Sequence, residues 1–319
     1  MKTRISKWVE GNVRGDRTRK ITVRALRKLL KSVRHYLPLA ATKAATDVEY
    51  VHNLRIWTRR ATAALKLYDE FLPRRRAVWL KKQLKRIRQA TGDARDLDVL
   101  AQYLTQDPAH PMLKRCMKRI RAMREKAQEP LLAVRKRLKR DNRFNRQIKK
   151  LLRRVRRESK RKFPPFGPWA YAKLRPIVNN FFKAAPGKEA KLGTLHQFRI
   201  CGKELRYTME LLTRAFPSEF HQKLYPIVEG ILDRLGKIND LSSAQARLRQ
   251  LLNDMGNVAE KRQLRSLISQ EQTRLEQAHQ EFLDWAIPHL DKLRSSFDDL
   301  LTPKLAWKSE KRVGGRDHK

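Results

Sequence analysis

The chain has 319 residues, with 75 Lys and Arg against 32 Asp and Glu, so its formal net charge is +43. So large a charge opposes a compact fold unless anions share the surface, and it predicts a polyanionic partner: nucleic acid, an anionic membrane or an inorganic polyanion. The two cysteines lack metal-ligand spacing and are too few for a disulfide framework. The sequence shows no signal peptide and no apolar run long enough to span a membrane. We therefore expect a cytoplasmic, soluble protein.

Helical periodicity runs along almost the whole chain, and sustained strand-like alternation is not found. The predicted elements begin with a basic leader over 1–19 and continue with helices over 20–37, 47–72, 75–91 and from about 93 past 104, with stops at Pro38, Pro73 and Gly92. They continue with a very basic helical stretch over 111–162 that breaks at Pro130, a linker or sharp turn at "KFPPFGPW", further helix over about 259–300, and a flexible tail over 307–319.

After the linker the pattern begins again. A shift of 144 residues aligns His52–Leu97 with His196–Leu241 without a gap. Ten of the 46 aligned positions are identical, whereas average composition gives about three. The predicted helix stops recur as well, at Pro73 and Pro217 and at Gly92 and Gly236.

The internal repeat predicts the architecture. We expect an all-α fold of two four-helix-bundle repeats, over 20–162 and 163–306, related by a pseudo-twofold axis. Such an axis would bring equivalent helices together around one basic central groove.

The repeated unit carries the motif His-x-x-Arg-x-x-x-(Arg/Lys) on a helix. Steps of three and four residues keep these groups on one narrow stripe, while apolar residues fill the rest of the helix. An ordinary solvated face is broader and mixed in sign, so we interpret the stripes as binding phosphate oxygens through guanidinium forks, mobile ammonium charges and imidazole donors. The two stripes are, in chain order, His52, Arg55, Arg59 and Lys66, and then His196, Arg199, Lys203 and Arg206 with Tyr207.

The stretches "VHNLRIWTRRATAAL" and "LHQFRICGKELRYTMEL", each followed by a Gly and Asp-Leu segment ("GDARDLDVL", "GKINDLSSA"), resemble the two halves of a CHAD domain, the conserved histidine α-helical domain, over roughly 20–305. The resemblance implies two four-helix bundles about a pseudo-twofold, a basic central cavity, binding of inorganic polyphosphate and association with polyphosphate granules. The family positions that it carries over are His52, Arg55, Arg59, Arg60, His196, Arg199, Lys203, Arg206 and Tyr207.

The chain departs from this pattern in two respects. Arg60 lies off the main stripe, and Glu204 stands at the equivalent position of the second copy. The Glu-x-Glu-x-Lys strand of the triphosphatase domain that often accompanies the family is absent. The resemblance therefore implies a stand-alone binding module that is not an enzyme and needs no cofactor.

Two acids, Asp96 and Asp240, are retained in both copies. They either orient a groove arginine through an ion pair or cap a helix after the preceding glycine, and the sequence leaves both readings open. A metal site at Asp93, Asp96 and Asp98 is disfavoured because the second copy lacks two of these acids, and a histidine metal centre is disfavoured because the surrounding Arg and Lys repel a cation.

Weaker candidates would extend the cationic surface. The basic segment 111–162 is expected to widen it along a long polyanion. The groove rim is expected to include Lys31, Arg34, Lys173 and Arg175.

Two functions fit the charge. The favoured one is a non-enzymatic polyphosphate-binding protein; the alternative is a nucleic-acid-binding protein. Against the alternative, Trp57, Trp79 and Phe198 fall with the apolar core rather than among the bases, and no helix-turn-helix or RNA-binding signature is found. An enzyme of polyphosphate or nucleoside triphosphate turnover would need a carboxylate cluster that the sequence does not offer.

Overall fold

The structure is a computed structural model that describes residues 5–8, 17–105, 111–253 and 257–302. Within these residues every regular element is helical, so the predicted all-α fold class is confirmed. The main helices are α1 (Thr18–Thr42), α2 (Glu49–Leu67), α3 (Arg74–Ala90), α4 (Gly92–Leu104), α5 (Pro111–Lys126), α6 (Glu129–Lys139), α7 (Arg143–Arg157), α8 (Phe166–Lys183), α9 (Leu192–Leu212), α10 (Tyr225–Asn253) and α11 (Val258–Leu301).

Some sequence predictions lie outside this description or are not tested by it. The tail over 307–319 and most of the leader over 1–19 lie outside the described residues. The division into repeats at 162/163 and the pseudo-twofold axis stay predictions. Among the helices described, none carries an apolar stretch that could cross a bilayer.

The helices α2 and α9, which carry the two basic stripes, lie at the centre of the packing. Helix α2 packs on α1 and α3, helix α9 packs on α8 and α10, and the two pack on each other. Their apolar sides are closed by side chains such as Leu54, Trp57, Phe198 and Leu205, all at most 3% exposed. Burying such side chains stabilises the fold by roughly 1.5–3 kcal/mol each, which fixes the orientation of the remaining, cationic sides.

A smaller second core joins the ends of α4 and α10 to their neighbours. Here α4 packs on α5 and α10, and α10 packs on α11. The buried side chains of this core are Leu97, Leu100, Leu104, Cys116, Ile120, Ala244, Leu248, Leu251 and Leu264. The Cys116 side chain therefore packs as a small apolar group of this core.

Two predicted helix stops are wrong. Pro38 lies inside α1, which continues to Thr42, because Leu37, Ala40 and Ala41 remain buried on either side of the proline. That burial outweighs the one backbone hydrogen bond that proline removes. Gly236 likewise lies inside α10, where Leu235 and Ile238 are buried on both sides of it.

Helix α7 shows the sharpest division between an apolar and a charged side. Phe144, Leu151, Leu152 and Val155 are buried against α1, α3 and α6. Eight of the other eleven positions are Arg or Lys. The fold therefore presents α7 as a cationic ridge with one apolar seam.

Candidate polyanion-binding groove

The packing of α2 on α9 brings the two predicted stripes together around Arg59. The charge of Arg59 acts on Arg55 of its own helix and on Arg199 and Lys203 of α9. Arg206 belongs to the same set, because its charge acts on Lys203. Five cations from two helices thus form one partly buried cluster, and we call this cluster and the space around it the groove.

Two of these arginines are held in fixed orientations. Nη1 of Arg55 donates to the carbonyl of Arg88 at 2.8 Å and to Oγ1 of Thr91 at 3.2 Å. Nη1 of Arg199 donates to Oδ1 of Asn239 at 3.0 Å. Each guanidinium is therefore anchored at one nitrogen by α3 or α10, and its other donors remain available to a ligand.

Buried donors without acceptors mark the α9 side of the groove. Within the described part of the chain, Nε of Arg199 and Nε of Arg206 are both buried and both lack a hydrogen-bond partner. Such groups cost free energy unless an acceptor reaches them, and native proteins leave few of them. An anionic oxygen bound in the groove would satisfy them.

The pKa values of the groove reflect its burial and its excess of positive charge. Burial lowers the pKa of His52 to about 4, and the charges of Arg95 and Arg59 act in the same direction. Burial likewise lowers the pKa of Lys203 to about 6, with Arg199 as the next contribution. The free groove therefore holds these two groups neutral near pH 8, and a bound anion would favour their protonation.

Arg88 and Arg95 belong to the groove although the sequence analysis missed them. Arg88 of α3 donates from Nη1 to the carbonyl of Thr58 at 3.2 Å and to Oγ1 of Thr62 at 2.7 Å. Burial, and after it the charge of Arg59, lower the pKa of Arg88. Arg95 of α4 acts on both His52 and Arg55. The repeat could not signal either residue, because the equivalent positions are Leu232 and Asn239.

Arg60, another family position, makes an internal ion pair. It donates from Nε and Nη2 to the carboxylate of Glu210, at 2.6 and 2.8 Å, and Tyr225 donates to the same carboxylate at 2.9 Å. The side chains of Arg60 and Glu210 are 13% and 3% exposed. The pair links α2 to α9 across 150 positions of sequence, so the charge of Arg60 is matched inside the protein.

Tyr207 is buried beside the cations rather than exposed to a ligand. Its ring lies 5.2 Å from the guanidinium carbon of Arg206 and 5.9 Å from that of Arg60. Nη2 of Arg206 lies 3.5 Å from the phenol oxygen. The aromatic face and the hydroxyl thus both serve to hold arginines.

The retained acids act on the groove at a distance. Burial and neighbouring cations lower the pKa values of His52, Arg199 and Lys203, and Asp240 opposes that lowering. Asp96 opposes it in the same way at Arg55. Among the described residues, neither carboxylate hydrogen-bonds a groove arginine, and Asp96 lies 3.6 Å from Arg247. The helix-cap reading is wrong, because both acids lie inside helices, α4 and α10.

The remaining predicted positions are exposed, line another cleft or bond elsewhere in the protein. His196 and Lys66 are exposed, His196 one turn before Arg199 and Lys66 in the last turn of α2. Lys31 and Arg34 line a separate cleft against α7. Arg175 donates to the carbonyl of Leu301 at 2.6 Å, and Lys173 pairs with Glu70 at 3.0 Å.

The acids near the groove show no metal-binding arrangement. Asp98 is buried and accepts from Nε and Nη2 of Arg124 at 2.6 and 3.3 Å, which joins α4 to α5. Over the described ranges, no group of three or more His, Cys, Asp or Glu side chains is placed to hold a metal ion.

We predict that Glu210→Ala lowers the free energy of unfolding by about 3–5 kcal/mol, because it leaves Arg60 buried without its partner. Denaturant unfolding measures the change. The matched control is Asp69→Ala, which removes an exposed pair with Lys81 and should cost less than about 1 kcal/mol. Equal costs for the two variants would show that the buried pair does not hold α2 to α9.

Comparison with known proteins gives the family. The CHAD domain model matches residues 24–249. Among solved structures, the chain is similar to the CHAD domain from the plant Ricinus communis, with a TM-score of 0.67, 18% identity and coverage of 88% of this chain and 97% of that chain. It is also similar to PptA from Streptomyces chartreusis, with a TM-score of 0.56, 16% identity and coverage of 86% and 100%.

At these identities the two structures show a shared fold. No curated protein matches the chain in a sequence comparison. The family match covers well over half of the 319 residues and includes both basic stripes, and on that evidence the chain belongs to the CHAD domain family.

Proposed function

We propose that this protein binds inorganic polyphosphate in the groove between α2 and α9 and that it acts by binding rather than by catalysis. The observation that carries the proposal is the cluster of partly buried cations around Arg59, which the fold assembles without enough acids to neutralise it. Such a cluster costs free energy in the unliganded protein. A ligand with closely spaced negative charges removes that cost.

The chemistry of the groove suits a chain of phosphates. Guanidinium groups offer paired N–H donors that match two oxygens of one phosphate, and Arg55 and Arg199 are already oriented by their anchors. The unpaired Nε atoms of Arg199 and Arg206 would donate to further oxygens. Lys203 and His52 would gain protons as the ligand enters, which adds charge where the phosphates lie.

Polyphosphate is favoured over nucleic acid because the groove lacks stacking surfaces. Proteins that bind single strands place aromatic rings where bases can stack on them. The aromatic neighbours of these cations, Trp57 and Tyr207, are only 3% and 5% exposed. Polyphosphate has no bases, so it forgoes no stacking contacts by binding in such a groove. RNA or DNA would bind there through its backbone charge alone.

The predicted site residues divide into two roles. We propose that His52, Arg55, Arg59, Arg199 and Lys203 contact the ligand, together with Arg206, Arg88 and Arg95, while His196 and Lys66 extend the contact at its exposed ends. Arg60 and Tyr207 act as positioning residues, since their polar atoms are used within the protein.

A binding role also accounts for the acids. Hydrolysis or transfer of phosphoryl groups commonly uses metal ions held by carboxylates, whereas the buried carboxylates of Glu210 and Asp98 pair with arginines. A protein that neutralises polyphosphate would concentrate where the polymer accumulates. We therefore place it at polyphosphate granules in the cytoplasm.

We predict that His196→Ala/Arg199→Ala, the groove variant, raises the Kd for polyphosphate at least about tenfold at about 0.15 M salt, because it removes charge-assisted contacts to phosphate. Fluorescence anisotropy with labelled polyphosphate measures this. The matched control, His289→Ala/Arg262→Ala, removes one exposed His and one exposed Arg from α11 and should change the Kd by less than about threefold.

Denaturant unfolding separates a binding defect from a folding defect. The groove variant removes one of the crowded cations, so its unfolding midpoint should be no lower than that of the wild type. Equal loss of binding in the groove variant and in the α11 control would contradict the site assignment.

We predict that polyphosphate affinity rises as the pH falls. In the free protein, burial together with Arg199, Arg59 and Arg206 lowers the pKa of Lys203 to about 6, while Asp240 opposes them. A bound polyanion raises this pKa, so the complex holds more protons than the free protein. The contribution of Lys203 should therefore lower the Kd between about pH 8 and pH 6, by at most about tenfold per pH unit, and level off below about pH 6, where free Lys203 is already protonated.

The control for this effect is Lys203→Arg, since arginine stays charged throughout the range. Its Kd should depend less steeply on pH than that of the wild type, and any slope common to both belongs to other groups, including the terminal phosphates. Identical slopes in the two proteins, or an affinity that rises with pH, would contradict proton uptake at Lys203.

A further inference from the structure

A second concentration of positive charge surrounds α7, outside the groove between α2 and α9. The apolar seam of α7 is buried, and its exposed sides border two clefts. The first cleft, of about 790 Å³, lies between α7 and the start of α3 and is lined by Arg74, Arg75, Arg76, Lys150, Arg153 and Arg157 among others. We call it the α3 trough.

The opposite side of α7 borders α1. Two adjoining clefts of about 540 and 500 Å³ lie there, and Arg27 and Arg156 line both. We call them together the α1 trough, which also contains Lys31 and Arg34. Arg153 lines both this trough and the α3 trough, so the cationic surface is continuous across α7.

The troughs carry almost no compensating charge. In the described part of the chain, no Asp or Glu lines any of these clefts. The nearest pairing is between Arg154 and Glu158, whose closest atoms lie 3.8 Å apart, and the Arg154 side chain is 69% exposed. Clefts walled by one sign of charge concentrate the field of that sign and attract multivalent ions of the other.

This surface is separate from the groove. Helix α3 reaches both, with Arg76 in the α3 trough and Arg88 beside Thr58 and Thr62 of α2. Twelve residues of helix separate the two arginines, which corresponds to roughly 18 Å along the axis. Phosphates bound in the groove therefore leave the troughs exposed.

We propose that the α3 and α1 troughs form a second polyphosphate-binding surface, so that one molecule holds two segments of polymer. This inference rests on the proposed function of the groove. It gives a use to α7, the last helix of the basic segment 111–162, which the groove does not explain. It also places Lys31 and Arg34 at a binding surface, although not at the rim predicted for them.

Phosphate chains fit this surface better than nucleic acid does. Trp79 is the aromatic residue of the α3 trough, but the guanidinium carbon of Arg143 lies 5.6 Å from its ring centroid and Phe144 packs 6.5 Å from it. Its ring is thus already covered on the side of α7. The troughs therefore offer charge and depth to a thin, flexible polyanion, and little aromatic surface to a base.

Two surfaces on one molecule change what binding can do. Segments of one long chain that reach both surfaces bind with an effective concentration set by the connecting polymer, and segments from different chains become cross-linked. The protein would then gather polyphosphate into a network as well as coat it. A molecule with the groove alone could not cross-link.

The test counts short chains bound per molecule by isothermal titration calorimetry at about 0.15 M salt. The chains are chosen shorter than the roughly 18 Å that separates Arg76 of the α3 trough from Arg88 of the groove along α3, so that one chain does not reach both. The trough variant changes four exposed residues: Lys150→Gln, Arg153→Gln, Arg154→Gln and Arg157→Gln. Its matched control, with the same charge loss on α10 and α11, changes Arg249→Gln, Arg262→Gln, Arg265→Gln and Lys292→Gln.

We expect the wild type and the matched control to bind two chains, and the trough variant to bind one, with the Kd of that remaining chain changed by less than about twofold because distant sites are nearly independent. The groove variant, His196→Ala/Arg199→Ala, should retain the trough chain at unchanged affinity. Circular dichroism of each variant shows that the helices remain.

Each other outcome has one meaning. Equal numbers of chains on the trough variant and its control would overturn the second surface and leave the proposed function intact. Loss of all binding in the trough variant, with none lost in the groove variant, would instead refute the groove. Displacement of the trough chain by single-stranded RNA at a lower phosphate concentration than by polyphosphate would overturn the ligand assigned here.

Discussion

Packing of α2 against α9 forces cations of two helices into one partly buried groove, and the rest of the structure either compensates for that repulsion or uses it. Burial, and after it the neighbouring arginines, lower the pKa values of His52 and Lys203. Against the repulsion act the apolar contacts of the two helices and the buried pair of Arg60 with Glu210. The unliganded fold is therefore held together around charges that it cannot neutralise by itself.

That imbalance connects the fold to its proposed function. A protein selected only for stability would have apolar residues in place of the crowded arginines, because such a replacement often leaves the stability of the fold equal or higher. Here Arg55 and Arg199 are anchored by α3 and α10, and the buried Nε atoms of Arg199 and Arg206 remain unpaired in the described structure. Anchored donors with no internal acceptor lower the cost of ordering a ligand. The troughs around α7 repeat the excess of charge on an exposed surface.

The sequence predicts the groove where the internal repeat preserves it. Equivalent positions such as Arg55 and Arg199 stand out because both copies keep them on one helix face. Arg88 could not be found this way, because Leu232 occupies the equivalent position of the second copy. Glu210, the partner of Arg60, aligns with Lys66, and only tertiary packing joins residues so distant in sequence. The predicted helix stops at Pro38 and Gly236 were wrong for a related reason. Burial of the neighbours on both sides outweighs the local preference of proline and glycine to end a helix.

We propose that the groove distinguishes polyphosphate from other polyanions of equal charge, and a competition experiment tests this selectivity most directly. Labelled long-chain polyphosphate would be displaced by unlabelled polyphosphate, RNA, duplex DNA and triphosphate at equal phosphate concentration and about 0.15 M salt, where exposed charges are well screened. We predict that polyphosphate competes far better than the others and that the groove variant loses this preference. Competition by every polyanion according to its charge alone would contradict the account.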